Sequence, residues 1–201
     1  MYRSDRIIMA YTKHQMFPIP FYEFDFSDHI EKVLQLIPKE SSNVNPWYPT
    51  ITQTDNQILH TLDHWKFLKD NIEDCLLNIQ TDEGYDSGFG RLKLTRLWAN
   101  IVTKESTGNQ AQHRHPMSYY SGIFYLTEGA PTTFIDPCYA RSLSAIEIPN
   151  DHMYNSFNIE PKPGLVIIFP SYVQHLTLPH TDNYDRITMA FNCLPEHMVP
   201  A

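Results

Sequence analysis

Three histidines and an arginine in the C-terminal half are the residues best placed to do chemistry together. His113 and His115 stand two apart in Gln112-His113-Arg114-His115-Pro116. In an extended chain, side chains at i and i+2 project from one face, so both imidazoles can reach one point from a single strand. His175 arrives from a distant segment, Phe169-Pro170-Ser171-Tyr172-Val173-Gln174-His175, and Arg186 follows eleven residues later. Imidazole nitrogens suit a divalent first-row metal ion. A buried guanidinium requires an anion, and its planar fork matches a carboxylate. The spacing therefore points to a metal site with an anion clamp beside it.

The clamp is read from the run Arg186-Ile187-Thr188-Met189-Ala190-Phe191-Asn192. With period two, Ile187, Met189 and Phe191 share one face, while Arg186, Thr188, Ala190 and Asn192 share the other. Arg186 and Thr188 can thus both point into a barrel interior. The competing arrangement is an arginine at a strand mouth, paired with Asp182 or Asp185. His14, His29, His152 and His197 read as ordinary polar residues. His60 and His64 are four apart on an expected helix, but Thr61-Leu62-Asp63 between them lacks the glutamate of H-E-x-x-H. No Ser-His-Asp or Cys-His arrangement stands out, so no catalytic residues beyond the metal ligands are expected.

These residues need strands to hold them. From Arg91 onward the apolar period is two. Leu92, Leu94 and the run Leu97 to Val102 read as strands, as do Tyr119–Thr127, Pro131–Ile135, Ala145–Ile148, Leu165–Phe169, Val173–Leu178 and Arg186–Asn192. About eight short antiparallel strands suit a jelly roll. Before them, residues 16 to 26 read as an extended entry strand, confined by Pro18 and Pro20 to a sheet edge or strand start. Ser27 or Asp28 can cap a short helix whose Ile30, Val33, Leu34 and Ile37 share a face, and Pro38 stops it. Residues 39 to 53 read as a loop. Thr54 and Gln57 fit a capping box for a longer helix over about 56 to 80. The expected fold is mainly β with N-terminal helices: a cupin-like double-stranded β-helix buttressed by two α-helices. One domain is expected over residues 1–201, with helical support at about 27–80 and the jelly-roll core at about 91–194.

Composition limits the partners. The formal charge of −8 and the lack of a Lys/Arg cluster argue against nucleic acid and anionic membrane surfaces. No apolar run approaches the roughly 18 residues of a bilayer span. Met1-Tyr2-Arg3-Ser4-Asp5 has no apolar segment behind it, so no signal peptide is expected. Cys75, Cys138 and Cys193 share no close spacing and read as reduced thiols of a cytoplasmic protein. An edge strand near residues 17 to 24 could pair two copies into a homodimer.

The ordered motifs resemble the iron(II)/2-oxoglutarate-dependent oxygenases, in particular their prolyl-hydroxylase-like branch. More narrowly they resemble a set of such oxygenases from marine phages and bacteria. The matching pieces are Phe17-Pro18-Ile19-Pro20, His113 to Pro116, Ser121-Gly122-Ile123-Phe124-Tyr125-Leu126, Pro163-Gly164, Phe169-Pro170 before His175, and Arg186 to Asn192. Together they span about residues 16 to 194. The resemblance implies Fe(II), 2-oxoglutarate and O2 as metal and co-substrates, with hydroxylation of a peptidyl or small-molecule substrate. It makes His113 and His175 iron ligands and gives Arg186 the distal carboxylate of 2-oxoglutarate. Thr188 and Tyr125 become hydroxyl donors, Ser121 and Ile123 line the same wall, and Asn100 and Trp98 reach toward co-substrate or substrate.

One departure stands out. The family carries Asp or Glu two residues after the first histidine, where this chain has His115. Either His115 is the third ligand, or water fills the position, or an acid such as Asp136 approaches it. Three neutral imidazoles leave the metal charge uncompensated until an anionic co-substrate arrives. A three-His cupin-type dioxygenase without 2-oxoglutarate, and a non-catalytic jelly-roll binding protein, are the competing readings.

Overall fold

In the computed structural model, which describes residues 18–86, 88–138 and 155–199, the period-two segments pair into two antiparallel sheets that form a jelly roll. The spine of the larger sheet is one long pair, β4 (Leu92–Val102) with β11 (Arg186–Pro195), running from Arg186↔Val102 to Pro195↔Leu92 with one register shift between Asn192 and Cys193. β6 (Tyr120–Tyr125) and β9 (Leu165–Pro170) extend it on the other side of β11, and β1 (Tyr22–Asp25) closes that edge. Beyond β4 lie β3 (Thr52–Thr54) and β2 (Ser42–Val44). The smaller sheet runs β5 (Gln110–His113), β10 (His175–Thr177), β7 (Thr132–Ile135), β8 (Ser156–Ile159).

The alternation on the central strands serves two cores. On one face, Leu94, Leu97, Ala99, Phe124, Ile168, Met189 and Phe191 pack with Val33 of α1 (Ile30–Leu36) and Leu68, Ile72, Leu76 and Ile79 of α2 (Lys66–Asp82). The two helices thus buttress one sheet. On the other face, Tyr125, Ile167, Phe169 and Val173 meet Phe134 and Ile159 of the smaller sheet. The second interior holds the site. Gly122 permits the first core to close: a Cβ there would come within 2.1 Å of Phe191 Cζ and 2.7 Å of the Ile167 carbonyl oxygen.

Several local expectations are corrected. Residues 39–53 are not a loop throughout, because β2 and β3 form a hairpin paired onto β4. The longer helix starts at Lys66, after three single 3-10 turns over residues 55–65. The expected capping box does not form. Thr54 Oγ1 instead accepts the Ala99 N–H at 2.9 Å, and Gln57, which ends the first 3-10 turn, adopts a left-handed φ of 56° through which an α-helix does not continue. The shorter helix lacks the expected side-chain cap; Ser27 hydrogen-bonds Asp25. Pro38 has no N–H to donate, so the last α hydrogen bond runs from the Ile37 N–H to the Val33 carbonyl, the helix ends at Leu36 and a 3-10 turn follows. The two strands expected over Leu92 to Val102 are one, and β8 arises where no strand was expected. The entry strand is shorter than its pattern, though it does lie at a sheet edge. Phe17, His14, His152 and the Ala145–Ile148 strand lie outside the described residues. No helix among the described residues is long and apolar enough to cross a membrane.

Candidate metal centre and anion clamp

The smaller sheet brings the histidines together. His175 of β10 pairs directly with His113 of β5, so two strand positions distant in sequence become neighbours. His115 lies beyond the end of β5, and its N–H donates to the Ser171 carbonyl at 3.1 Å, which ties the segment to the turn before His175. The ligand atoms of His113, His115 and His175 all lie within 4.8 Å of one another, a group that could hold a metal ion. The rings of His113 and His175 are 4.3 Å apart, and those of His115 and His175 stack at 5.2 Å and 13°.

Backbone carbonyls choose the tautomers. His113 Nδ1 donates to the Ala111 carbonyl at 2.8 Å, and His175 Nδ1 to the Val173 carbonyl at 3.3 Å. That leaves the Nε2 lone pairs for a metal, the arrangement by which outer partners orient histidine ligands. His115 Nε2 faces His175 Nε2 at 3.4 Å. Burial holds all three rings neutral. It lowers the pKa of His113, pushes His115 down to about 4 with help from the His113 and Arg96 charges, and takes His175 well below the usual range. Ligation requires neutral imidazole, so no proton has to leave first. The walls are aromatic: Phe169 lies 5.0 Å from His175, Trp98 6.1 Å from His115 and Tyr48 6.2 Å from His113.

The larger sheet supplies the polar floor. Asn100, Thr188 and Tyr125 stand in one cross-strand row over β4, β11 and β6. All three are buried, and Asn100 Oδ1 has no hydrogen-bond partner among the described residues. The Tyr125 hydroxyl donates to Thr132 Oγ1 at 2.8 Å, and burial pushes its pKa up to about 12. Next along β11 is Arg186, 5% exposed. Its Nε donates to the Ala130 carbonyl at 3.1 Å, its one hydrogen bond among the described residues. The pairing with Asp182 or Asp185 does not occur. Asp182 lies 3.4 Å from His180 Nδ1, and Asp185 accepts the Lys104 N–H. Gly129 gives Arg186 its path, since a Cβ there would meet Arg186 Cγ at 3.1 Å and His180 Cε1 at 3.2 Å.

Ser121 lies one row beyond Ile123, bonded to Ser171 at 2.7 Å and to Asn192 Oδ1 at 2.9 Å. Asp136 is not in the convergent donor group; its Oδ1 accepts the Cys138 N–H. His60 and His64 sit on separate 3-10 turns rather than one helix face, and His64 contacts Glu40. Sequence reasoning missed Thr132 and His180. His180 is buried, flanks Gly129 together with Arg186, and donates through Nε2 to the Tyr184 carbonyl at 2.6 Å. Neither carries a spacing signal, since each is defined by what the fold brings beside it.

Comparison with known proteins gives likenesses of sequence and of fold. The family model described as "Putative 2OG-Fe(II) oxygenase" matches residues 96–192. No curated protein matches the chain. Among solved structures, the non-heme alpha-ketoglutarate-dependent epimerase SnoN of nogalamycin biosynthesis superposes with TM-score 0.66 at 10% identity, covering 88% of this chain and 77% of its own. HygX from Streptomyces hygroscopicus, with nickel and 2-oxoglutarate bound, gives 0.64 at 13% identity over 89% and 84%. A Pseudomonas putida prolyl-4-hydroxylase gives 0.59 at 11% identity over 89% and 94%. At these identities the likeness is one of fold. The family match spans all three histidines and Arg186, so this part of the chain is similar to the 2OG-Fe(II) oxygenases.

Proposed function

We propose that the protein is an Fe(II)- and 2-oxoglutarate-dependent dioxygenase that hydroxylates a C–H bond of a small-molecule or peptidyl substrate. The observation that carries the reading is three neutral imidazoles gathered at the end of the smaller sheet and a buried guanidinium, lacking an anion among the described residues, on the larger. The donor set fits a divalent first-row ion, and the clamp fits a carboxylate. His113, His115 and His175 would hold the iron. Arg186 would take the distal carboxylate of 2-oxoglutarate, with Thr188, Tyr125 and Asn100 along its length.

When bound, iron with 2-oxoglutarate and O2 supplies oxidation of the substrate C–H bond, coupled to conversion of the keto acid to succinate and CO2. The chain's own residues bind, orient and exclude water. Arg186 fixes the diacid by a two-point charged contact. Tyr125 stays protonated near neutral pH and can donate only by sharing the hydrogen it gives Thr132. Phe134, Phe169 and Trp98 keep the centre dry.

The three-nitrogen set also favours a dioxygenase that works without 2-oxoglutarate, whereas Arg186 favours the diacid. Anaerobic titration of 2-oxoglutarate into the Fe(II)-loaded protein separates the two. A visible charge-transfer band that saturates with 2-oxoglutarate is expected. Iron binding with no band and no heat of 2-oxoglutarate binding would sink the reading, and failure to bind iron at all would leave only a binding scaffold.

A further inference from the structure

A second guanidinium stands at the other end of the barrel. Arg96 lies on the same side of β4 as Trp98 and Asn100 but is exposed at the rim, and it pairs across to Asn192, whereas Arg186 pairs with Val102 at the opposite end of the same ladder. Trp98, beside His115, lies between them. Arg96 lines an open cleft of about 470 Å³ with Asn45, Pro46, Trp47, Gln53 and Gln57. Most of this lining comes from the β2–β3 hairpin, which reaches the histidine cluster through Tyr48.

The cleft is built around the arginine. Arg96 Nη1 donates to Gln57 Oε1 at 3.1 Å, and no carboxylate pairs with Arg96 among the described residues. Asp55, the acid in the lining, is taken up by Ser41 and Asn43. Gln57 holds the arginine from a left-handed backbone at φ 56°, the kind of strain that collects at ligand-binding sites. Trp47 is 84% exposed, so an indole face stands open over the same cleft.

We propose that this rim cleft admits the substrate and selects one bearing a carboxylate, held by Arg96 with its apolar body against Trp47. That the bound carboxylate is the substrate's rests on the oxygenase reading above; the cleft's preference for a carboxylate does not. The carboxylate belongs to a free small molecule or to an acidic side chain of a peptide.

The test uses isothermal titration of the nickel(II)-loaded protein, with and without saturating 2-oxoglutarate. The probes are phenylacetate, its neutral analogue phenylacetamide, and the peptides acetyl-Gly-Asp-Gly-amide and acetyl-Gly-Asn-Gly-amide. At least one acidic probe is expected to bind beside 2-oxoglutarate, and which one binds identifies the source. Its affinity falls about two- to fivefold in Arg96→Met, the scale of a solvent-exposed ion pair, recovers in part in Arg96→Lys, and is matched by neither neutral analogue. The proposal is overturned if neither acid binds, if the neutral analogues bind as well, or if Arg96→Met has no effect. It is equally overturned if binding is lost in Arg186→Leu while Arg96→Met retains it, because the probe then occupies the inner clamp. If 2-oxoglutarate itself fails to bind, the oxygenase reading falls, while acid binding to the nickel form still reports on the cleft.

Discussion

Replacing Arg186 by leucine separates the cost of a buried charge from its use. The guanidinium is 5% exposed and is bonded among the described residues to one neutral carbonyl, that of Ala130. Without 2-oxoglutarate, the substitution removes a desolvated charge, a gain. It also removes the charge-assisted hydrogen bond to Ala130, a loss of about 1.5–3 kcal/mol. These nearly offset, so the melting temperature of the ligand-free protein should change little. With 2-oxoglutarate the balance differs. Loss of a desolvated, hydrogen-bonded charge pair costs about 2–5 kcal/mol, which is roughly 30-fold to a few thousandfold in Kd. Isothermal titration of 2-oxoglutarate into nickel-loaded protein measures the affinity, and the shrinking rise in melting temperature with added 2-oxoglutarate checks it. Arg186→Lys keeps the charge without the fork and should fall between. A leucine variant that folds normally and binds 2-oxoglutarate within about threefold of the parent would refute the clamp, because no bidentate charged contact is worth so little.

Gly122→Ala should destabilise the fold by about 1–3 kcal/mol, because the new Cβ meets the Phe191 ring and the Ile167 carbonyl. Urea denaturation reads this, and Phe191→Leu in the same chain should recover part of the loss. Burial pushes the Cys75 thiol up to about 11 and Cys193 well above its ordinary value, whereas Cys138 is exposed. At pH 8 a thiol reagent should therefore label one cysteine fast and two only on unfolding; three fast thiols would contradict the packing. His115→Ala should weaken metal retention against a chelator and His115→Asp should strengthen it in the absence of 2-oxoglutarate. Equal retention in all three proteins would remove His115 from the ligand set.

Where strand alternation alone decided the outcome, the sequence was sufficient. Arg186 and Thr188 face one interior while Met189 and Phe191 face the helices, as period two requires. The histidine cluster was legible for a related reason, since a two-residue spacing at a strand end and a distant partner need only one ladder to meet. What was not legible depended on long-range competition. Thr54 looks like a helix cap, but the N–H of Ala99, 45 residues away, takes its hydroxyl. The β2–β3 hairpin has little alternation because much of it is exposed, so no apolar face marks it in the sequence. It nevertheless carries the rim of the site. Arg96 reads as one charge in a strand until the fold sets it on the same face as Trp98.

The exchange of an acid for His115 changes how the interior can be neutral. With an acidic ligand, part of the metal's charge would be cancelled by the protein before any co-substrate arrives. With three desolvated imidazoles it is not, and Arg186 adds a further positive charge in the same interior. Two positive centres in a region of low dielectric raise each other's cost. A dianion whose two acid ends reach both centres relieves both at once, where a monoanion would relieve only one. Metal and 2-oxoglutarate should then each raise the other's affinity by the same factor, since coupling between two sites is reciprocal. On the proposed ligand set, the histidine would shift charge compensation from the chain to the co-substrate. An acidic substrate approaching this assembled centre finds its own positive partner at the rim, in Arg96, rather than competing for the one at the base.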